Sequence, residues 1–503
     1  MIKKEVKDMD NYINYIFSKE IGQQLHILEL LYNSTNGLDT EELTRLTKLG
    51  GRTVHKHMSS ISELVNNHRE IKASIISEKR KYIFSGNRSE YYALKCALMK
   101  TEPLLMLFEM FLSKTSVYFK NFCKENFISE STMRRKFQRA NLLLSSIGIK
   151  IVLRTNKVYI VGEERIIRYS LVALLWRVYR GMEWPFHDID EQNIDTVINS
   201  IISSGRYVSY GKRKHLAFYL AVSISRSQSG STISKELLPE YSEVLVSSNY
   251  YMEQLSNLIE KYFSIPAVEL EFILLLFYIF PECYEEFHSA EDTLNILKKH
   301  SRRSYSSIMH FISFIKKRHP AWDEMHPKSS LFWPMLISGR IFVDIFKNAF
   351  FNSSAVQIFK HAKIDYPNLL PTIEKSILAH EPKLSENTLK SLTLRYGQAY
   401  LMEFSPHDFE PQIKILLLTD TAMYIERITQ QRIENLLKFR FNFILEIDRP
   451  TSTPDLILEA DTIKRNYKNT KRLFINAEVS PKDRENILEI CAQILNEKTN
   501  SLN

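Results

Sequence analysis

Apolar residues recur at intervals of three and four near the start of the chain. In IGQQLHILELLYN they are Ile21, Leu25, Leu28 and Leu31 or Tyr32, one side of an amphipathic helix. Asn36-Gly37 ends that helix. Asp39 or Thr40 then caps a second, TEELTRLTKL, with Glu41 and Glu42 in its first turn, which runs to the Gly50-Gly51 pair. A third apolar set, Val54, Met58, Ile61 and Val65, predicts a helix over RTVHKHMSSISELVNN. It turns Arg52, Thr53, His55, Lys56 and Ser59 to the other faces. IKASIISEKRKYIFSG reads as two short strands about a charged tip of Glu78, Lys79, Arg80 and Lys81.

Three helices with a glycine turn before the last, followed by a hairpin, describe a winged helix-turn-helix. Taken once, the pattern is also that of any small three-helix packing unit. It recurs about 80 residues later, and a double is harder to produce by chance. SVYFKNFCKENF predicts a helix with Val117, Phe119 and Phe122 on its apolar side, and Ser129 with Glu130 caps SESTMRRKFQRANLLLSSIG. In that second recognition helix Ser131, Thr132, Arg134, Arg135, Lys136 and Arg139 cluster near the start. Met133, Phe137, Leu142 to Leu144 and Ile147 supply the packing side. IKIVLRTNKVYIVG is a hairpin turning at Thr155-Asn156-Lys157. A capped helix start with small polar and basic side chains suits base edges and phosphates.

Beyond residue 165 the pattern stays helical. RIIRYSLVALLWRVYR and VELEFILLLFYIF mark one all-α stretch to about residue 285, and SLFWPMLISGRIFVDIFKNAF through IEKSILAH a second. The last hundred residues change period. QIKILLLTD, NFILEID and KRLFINA read as strands, DLILEADTI as a strand or short helix, and IERITQQRIENLLKF and SPKDRENILEICAQIL as helices, the alternation of a small parallel sheet.

Composition narrows the class. With 503 residues, 44% hydrophobic and 25% charged, the chain suits several packed domains, and 13 Gly and 16 Pro leave little room for long linkers. The net charge of +9 is unevenly placed: residues 1–165 hold 27 Lys+Arg against 18 Asp+Glu, and the remainder 40 against 40. A basic head on a neutral body points to a polyanion. Cys96, Cys123, Cys283 and Cys491 lie far apart without metal-ligand spacing, so neither a zinc site nor a disulfide framework is expected. The N-terminus lacks an apolar signal core, and the run Phe272 to Phe280 is too short to cross a bilayer, so a cytoplasmic protein without membrane contact is expected. No phosphate loop, GxSxG elbow, HExxH or defensible carboxylate pair is present, so neither an enzyme nor a cofactor is expected.

The run SESTMRRKFQRANLLLSSIGIKI with the following EERIIRYSLVALLWRVYRG resembles the Mga/AtxA family of virulence and global transcription regulators of Gram-positive bacteria. The resemblance implies a mainly α multidomain protein. Two N-terminal winged helix-turn-helix units (1–88 and 89–165) would precede two all-α phosphotransferase-type regulatory domains, PRD-like (166–288 and 289–403), and a small α/β domain like the EIIB component of sugar phosphotransferase systems (404–503). It further implies double-stranded DNA as partner, activation of transcription, and a homodimer or higher homo-oligomer. A phosphocarrier protein of the phosphotransferase system would be a second partner, acting through histidine phosphorylation. In GKRKHLAFYLAVSISRSQSG, His215 resembles the PRD histidine that is followed about ten residues on by arginine, here Arg226, with Lys212, Arg213 and Lys214 alongside. The second PRD histidine has no counterpart, since apolar residues stand near Leu276; in the following domain His361 and His380 are the equivalents. Where an active EIIB carries its phosphorylated cysteine, this chain has Thr419, Asp420 and Thr421, which argues against phosphotransfer there. An RNA-binding antiterminator built on PRDs would begin with a β-rich domain, whereas this chain begins with helices.

Overall fold

The computed structural model of the chain describes residues 13–67, 72–78, 80–202, 208–247, 250–284, 289–347, 367–438, 440–460 and 470–502. They are mostly helical, with three small sheets, and none of their helices is long and apolar enough to cross a membrane. The chain divides into two compact units. The larger comprises Met1–His310, Trp333–Val356 and Leu384–Leu392; the smaller comprises Phe311–Phe332, Gln357–Lys383 and Thr393–Asn503.

The larger unit opens with a short α1 (Ile13–Ile16) and α2 (Lys19–Asn33), whose N-cap Ser18 accepts from the Ile21 amide at 3.3 Å. Strand β1 (Leu38–Asp39) leads into α3 (Thr40–Thr47). There Asp39 accepts from the Glu42 amide at 2.7 Å and Glu42 accepts from the Asp39 amide at 2.9 Å, a reciprocal capping box. α4 (Gly51–Asn67) buries Val54, His57, Met58 and Ile61, and β2 (Ser74–Glu78) and β3 (Lys81–Ser85) form the antiparallel hairpin. β3 lies in the middle of this sheet, because β1 pairs with its other edge. Gly37, at φ 68°, permits that pairing: a Cβ there would stand 2.6 Å from Ile83 and 2.7 Å from the Tyr82 carbonyl oxygen.

Two helices absent from the sequence reading follow, α5 (Arg88–Lys100) and the strongly apolar α6 (Pro103–Ser113). The arrangement then repeats as β4 (Val117–Tyr118), α7 (Phe119–Glu125), α8 (Glu130–Leu144), β5 (Lys150–Arg154) and β6 (Lys157–Val161), with sheet order β4-β6-β5. Two expectations are corrected here. Val117 belongs to a strand rather than a helix, and Leu142 points outward at 69% exposure while its neighbours Leu143 and Leu144 are buried. A run of three leucines spans most of a helical turn, so one of them must leave the packed side. We call the two repeats the first module (13–85) and the second module (115–161).

The helical body begins with α9 (Glu164–Tyr179), α10 (Glu191–Ile202), α11 (Tyr210–Gln228), α12 (Ser242–Ser247), α13 (Tyr250–Tyr262) and α14 (Ala267–Phe277). Buried charge ties it together. Arg168 binds both carboxylate oxygens of Glu269 at 2.6 and 3.0 Å, and Glu164 accepts from Arg168 and Arg226. Arg226 also donates to the Phe111 carbonyl, at the end of α6, at 2.7 Å. Each of these charges is largely withdrawn from water, so removing one partner would leave the other buried and unpaired. α15 (Ala290–His300), α16 (Arg302–Arg318), α17 (Phe332–Phe346), α18 (Leu369–His380) and α19 (Glu386–Glu403) follow along the chain.

The smaller unit ends in an α/β layer: β7 (Ile413–Leu418), α20 (Met423–Leu437), β8 (Phe443–Ile447), β9 (Leu456–Glu459), β10 (Lys471–Phe474) and α21 (Pro481–Leu502). The strands are parallel in the order β10-β9-β7-β8. Ile413, Ile415, Leu417, Ile433, Leu456, Leu458, Ile487 and Cys491 form its core. DLILEADTI, open in the sequence as strand or helix, supplies β9.

Candidate nucleic-acid interface

In the second module the turn between α7 and α8 places Phe127 at φ 51° and 98% exposure, and Ser129 ends it as the N-cap of α8. The Ser129 hydroxyl accepts from the Thr132 amide at 3.2 Å and hydrogen-bonds the Ser131 and Thr132 hydroxyls at 3.0 and 2.8 Å. Met133, Phe137, Ala140, Leu143 and Leu144 anchor the buried side of α8. That leaves Ser131, Arg134, Arg135 and Gln138 exposed, with Thr132 and Arg139 half-buried. The Arg134 guanidinium lies 4.9 Å over the Phe119 ring and 3.6 Å from Glu130, while Arg135 donates to the Thr132 hydroxyl at 3.3 Å. These surface contacts are weak enough to exchange for phosphate or base edges.

Lys136, grouped with the DNA-facing residues in the sequence, points elsewhere. Its ammonium is ion-paired with Glu102, whose side chain is fully buried and also accepts from the Ser18 amide at 2.8 Å. Lys136 therefore neutralises an interior carboxylate that also caps α6.

The hairpin tip is a two-residue turn with Thr155 at φ 45° and Asn156 at φ 62°, so Lys157 pairs with Arg154 across it instead of lying in the turn. Asn156 is fixed to the start of α7: its backbone oxygen accepts from the Phe119 amide at 2.8 Å and its side-chain oxygen from the Lys120 amide at 3.2 Å. Arg154, exposed, and Lys157, 4.8 Å over the Tyr118 ring, thus flank a rigid tip. The sequence reading passed over both; the signal was a basic residue on either side of a Thr-Asn turn.

In the first module Arg52, His55 and Lys56 are exposed on α4 and Thr53 is half-buried. The Tyr82 hydroxyl hydrogen-bonds His55 at 2.9 Å, and Lys56 pairs with Glu20 at 2.9 Å. Arg80 is exposed at the hairpin tip with φ 66°, and Lys79 lies outside the described residues.

The phosphorylation candidates are placed differently. His215 packs its ring 4.5 Å from Trp176, 5.3 Å from Tyr219 and 6.2 Å from Phe280, and its Nε2 is buried without a hydrogen-bond partner. Burial lowers its pKa to about 4. The cations expected to receive a phosphate there are engaged: Lys212 with Glu282, Arg213 with Asn199 at 2.9 Å, and Lys214 with Glu191 and Asp195 at 2.6 and 2.9 Å. Arg226 lies eleven residues further along α11, on Glu164 and Phe111. His380 is half-buried at the end of α18, and His361 lies outside the described residues.

A histidine not singled out in the sequence is better connected. In the smaller unit His319 stacks on Phe404 at 4.1 Å and hydrogen-bonds the Tyr400 hydroxyl at 2.9 Å, which donates to Asp408 at 2.9 Å. Burial lowers its pKa against the opposing charge of Asp408. After β7 the Thr419 and Thr421 hydroxyls hydrogen-bond each other at 2.8 Å, and all four cysteines are buried free thiols. Among the described residues no group of three or more His, Cys, Asp or Glu side chains is placed to hold a metal.

Residues 92–175, from α5 through most of α9, match the Mga helix-turn-helix domain family. The chain is 19% identical over 308 residues to the capsule synthesis positive regulator AcpB of Bacillus anthracis, covering 60% of this chain and 62% of that protein. It is also 19% identical over 423 residues to a protein described as a trans-acting regulator in Streptococcus pneumoniae serotype 4, covering 81% and 83%.

Proposed function

Because the chain carries a Mga helix-turn-helix domain and is similar to regulators of the Mga/AtxA type, we propose that it is a DNA-binding transcription regulator whose two modules, acting as winged helix-turn-helix units, both engage duplex DNA. The observation that carries this reading is the outer face of α8, where Ser131, Arg134, Arg135 and Gln138 are exposed beside a capped helix start, inside the matching segment. Such a face fits the major groove, and Arg154 and Lys157 at the rigid hairpin tip reach the flanking phosphates. The first module adds Arg52, Thr53, His55, Lys56 and Arg80 over a second stretch of duplex. We further propose activation as the sign of regulation, in line with the name of the Bacillus anthracis relative. Control by a phosphocarrier through His215 would require Trp176 or Phe280 to move aside, since Nε2 is sealed among them.

The test is a gel-shift titration with a long duplex and a structured RNA of equal length, at low and high salt. Arg134→Ala/Arg135→Ala is expected to lower duplex affinity by roughly ten-fold or more, and Arg52→Ala/Lys56→Ala by less. A preference for RNA, or no binding to either, would overturn the reading; equal losses in the two variants would remove the priority given to the second module.

A further inference from the structure

Arg88, Tyr92 and Lys95 follow one another at i, i+4 and i+7 along α5, so they share one face of that helix. Arg180, distant in sequence, joins them from the C-cap of α9. Its guanidinium lies 4.6 Å from the centre of the Tyr92 ring, that of Arg88 lies at 5.7 Å, and the Lys95 ammonium at 5.8 Å. Three cations thus surround one phenol. Among the described residues none of the three forms an ion pair; Glu29, exposed on α2, is the carboxylate whose charge reaches Lys95.

Like charges gathered this closely repel, and a chain that only needed stability would place carboxylates among them. The backbone makes the same point. Arg180 sits in the left-handed region at φ 49°, where glycine is the usual C-cap residue and a side chain costs on the order of 1 kcal/mol. The Tyr92 hydroxyl responds to its surroundings: burial opposes its ionisation, yet Arg180, Arg88 and Lys95 outweigh it and hold its pKa below the ordinary value. Arg88 is exposed, and Tyr92, Lys95 and Arg180 are half-buried, so an incoming anion has access.

We propose that Arg88, Tyr92, Lys95 and Arg180 form a phosphate-binding site where the segment between the two modules meets the end of α9, favouring a backbone phosphate of duplex DNA. Arginine and lysine supply charge and multiple donors to phosphate oxygens, and the tyrosine hydroxyl supplies one more. The position on the segment that links the two modules favours the duplex as source; a soluble phosphorylated compound presents the same chemistry. The duplex arm rests on the DNA-binding reading above.

The experiment uses the full chain and two variants, Arg180→Gly and Arg88→Ala/Arg180→Gly. Glycine suits φ 49°, so Arg180→Gly is expected to keep its thermal midpoint and report on the site, with Arg88→Ala, on an exposed side chain, adding a second loss. Duplex binding is measured across a salt series, and thermal midpoints are measured without DNA in inorganic phosphate against chloride at matched ionic strength. For a duplex site, affinity falls roughly three- to ten-fold and the slope of log affinity against log salt loses about one unit per contact removed. For a soluble ligand, the slope is unchanged, and stabilisation of the native chain by inorganic phosphate disappears in the variants. If the variants change neither readout while Arg134→Ala/Arg135→Ala still loses duplex affinity, the phosphate site is overturned and the regulator reading stands. Were the native chain to bind no duplex, the regulator reading would fail, and the phosphate series alone would decide the site.

Discussion

His215 is a residue whose sequence context resembles that of a phosphorylated histidine and whose surroundings keep it neutral. Its folded pKa of about 4 lies below the ordinary 6.5, so between those values the unfolded chain binds the extra proton and stability falls as pH drops. The native chain is therefore expected to lose on the order of 1 kcal/mol per pH unit across that window relative to His215→Phe, which keeps an aromatic ring in the box. Urea midpoints of both proteins at pH 7 and pH 4.5 check this, and parallel losses would show that His215 titrates normally. At this scale the sequence told which side chains could bind an anion better than where they point. Arg134 and Arg135 face outward as their spacing implied, whereas Lys136 meets a carboxylate 34 positions away and Arg180 a tyrosine 88 positions away. Neither encounter leaves a periodic trace.

Apart from α5 and α6, the helices of the two modules were legible as elements because their apolar stripes are long and their starts carry capping side chains, Asp39 and Ser129 among them. The strands β1 and β4 were not, since two residues are too few to show alternation; they exist because β3 and β6 offer an open edge. In the smaller unit the apolar strand Ile413–Leu418 announced its parallel neighbours directly. The junction of α6 and α8 has its own test. Lys136→Met strands the buried Glu102 carboxylate and is expected to destabilise the protein by about 3 kcal/mol, most of which Glu102→Gln added to it restores. Thermal unfolding of the four proteins of this cycle decides it; additive losses would mean that the pair is not coupled.

Across the whole chain, the basic excess of residues 1–165 and the neutral remainder separate the charge from the helical body in sequence. In the larger unit the separation stops at charge. Arg226 of α11 holds the Phe111 carbonyl in the last turn of α6, Tyr179 of α9 hydrogen-bonds Glu109, and Lys100 of α5 pairs with Glu183 at 2.6 Å. The two modules are therefore no detachable cassette. A fragment ending at residue 165 would uncover the packed sides of α5 and α6 and leave Glu109 and the Phe111 carbonyl without these partners. It is expected to melt well below the intact chain and to aggregate. Fragments retaining residues through Tyr284 keep α9, α11 and α14, and with α14 the Glu269 partner of Arg168, and are expected to stay soluble, which differential scanning fluorimetry and size-exclusion chromatography of both lengths would verify. An investigator wishing to crystallise the two modules alone should cut after α14, and evolution, in moving such a head onto a new body, would have had to carry the first helices of the old body with it.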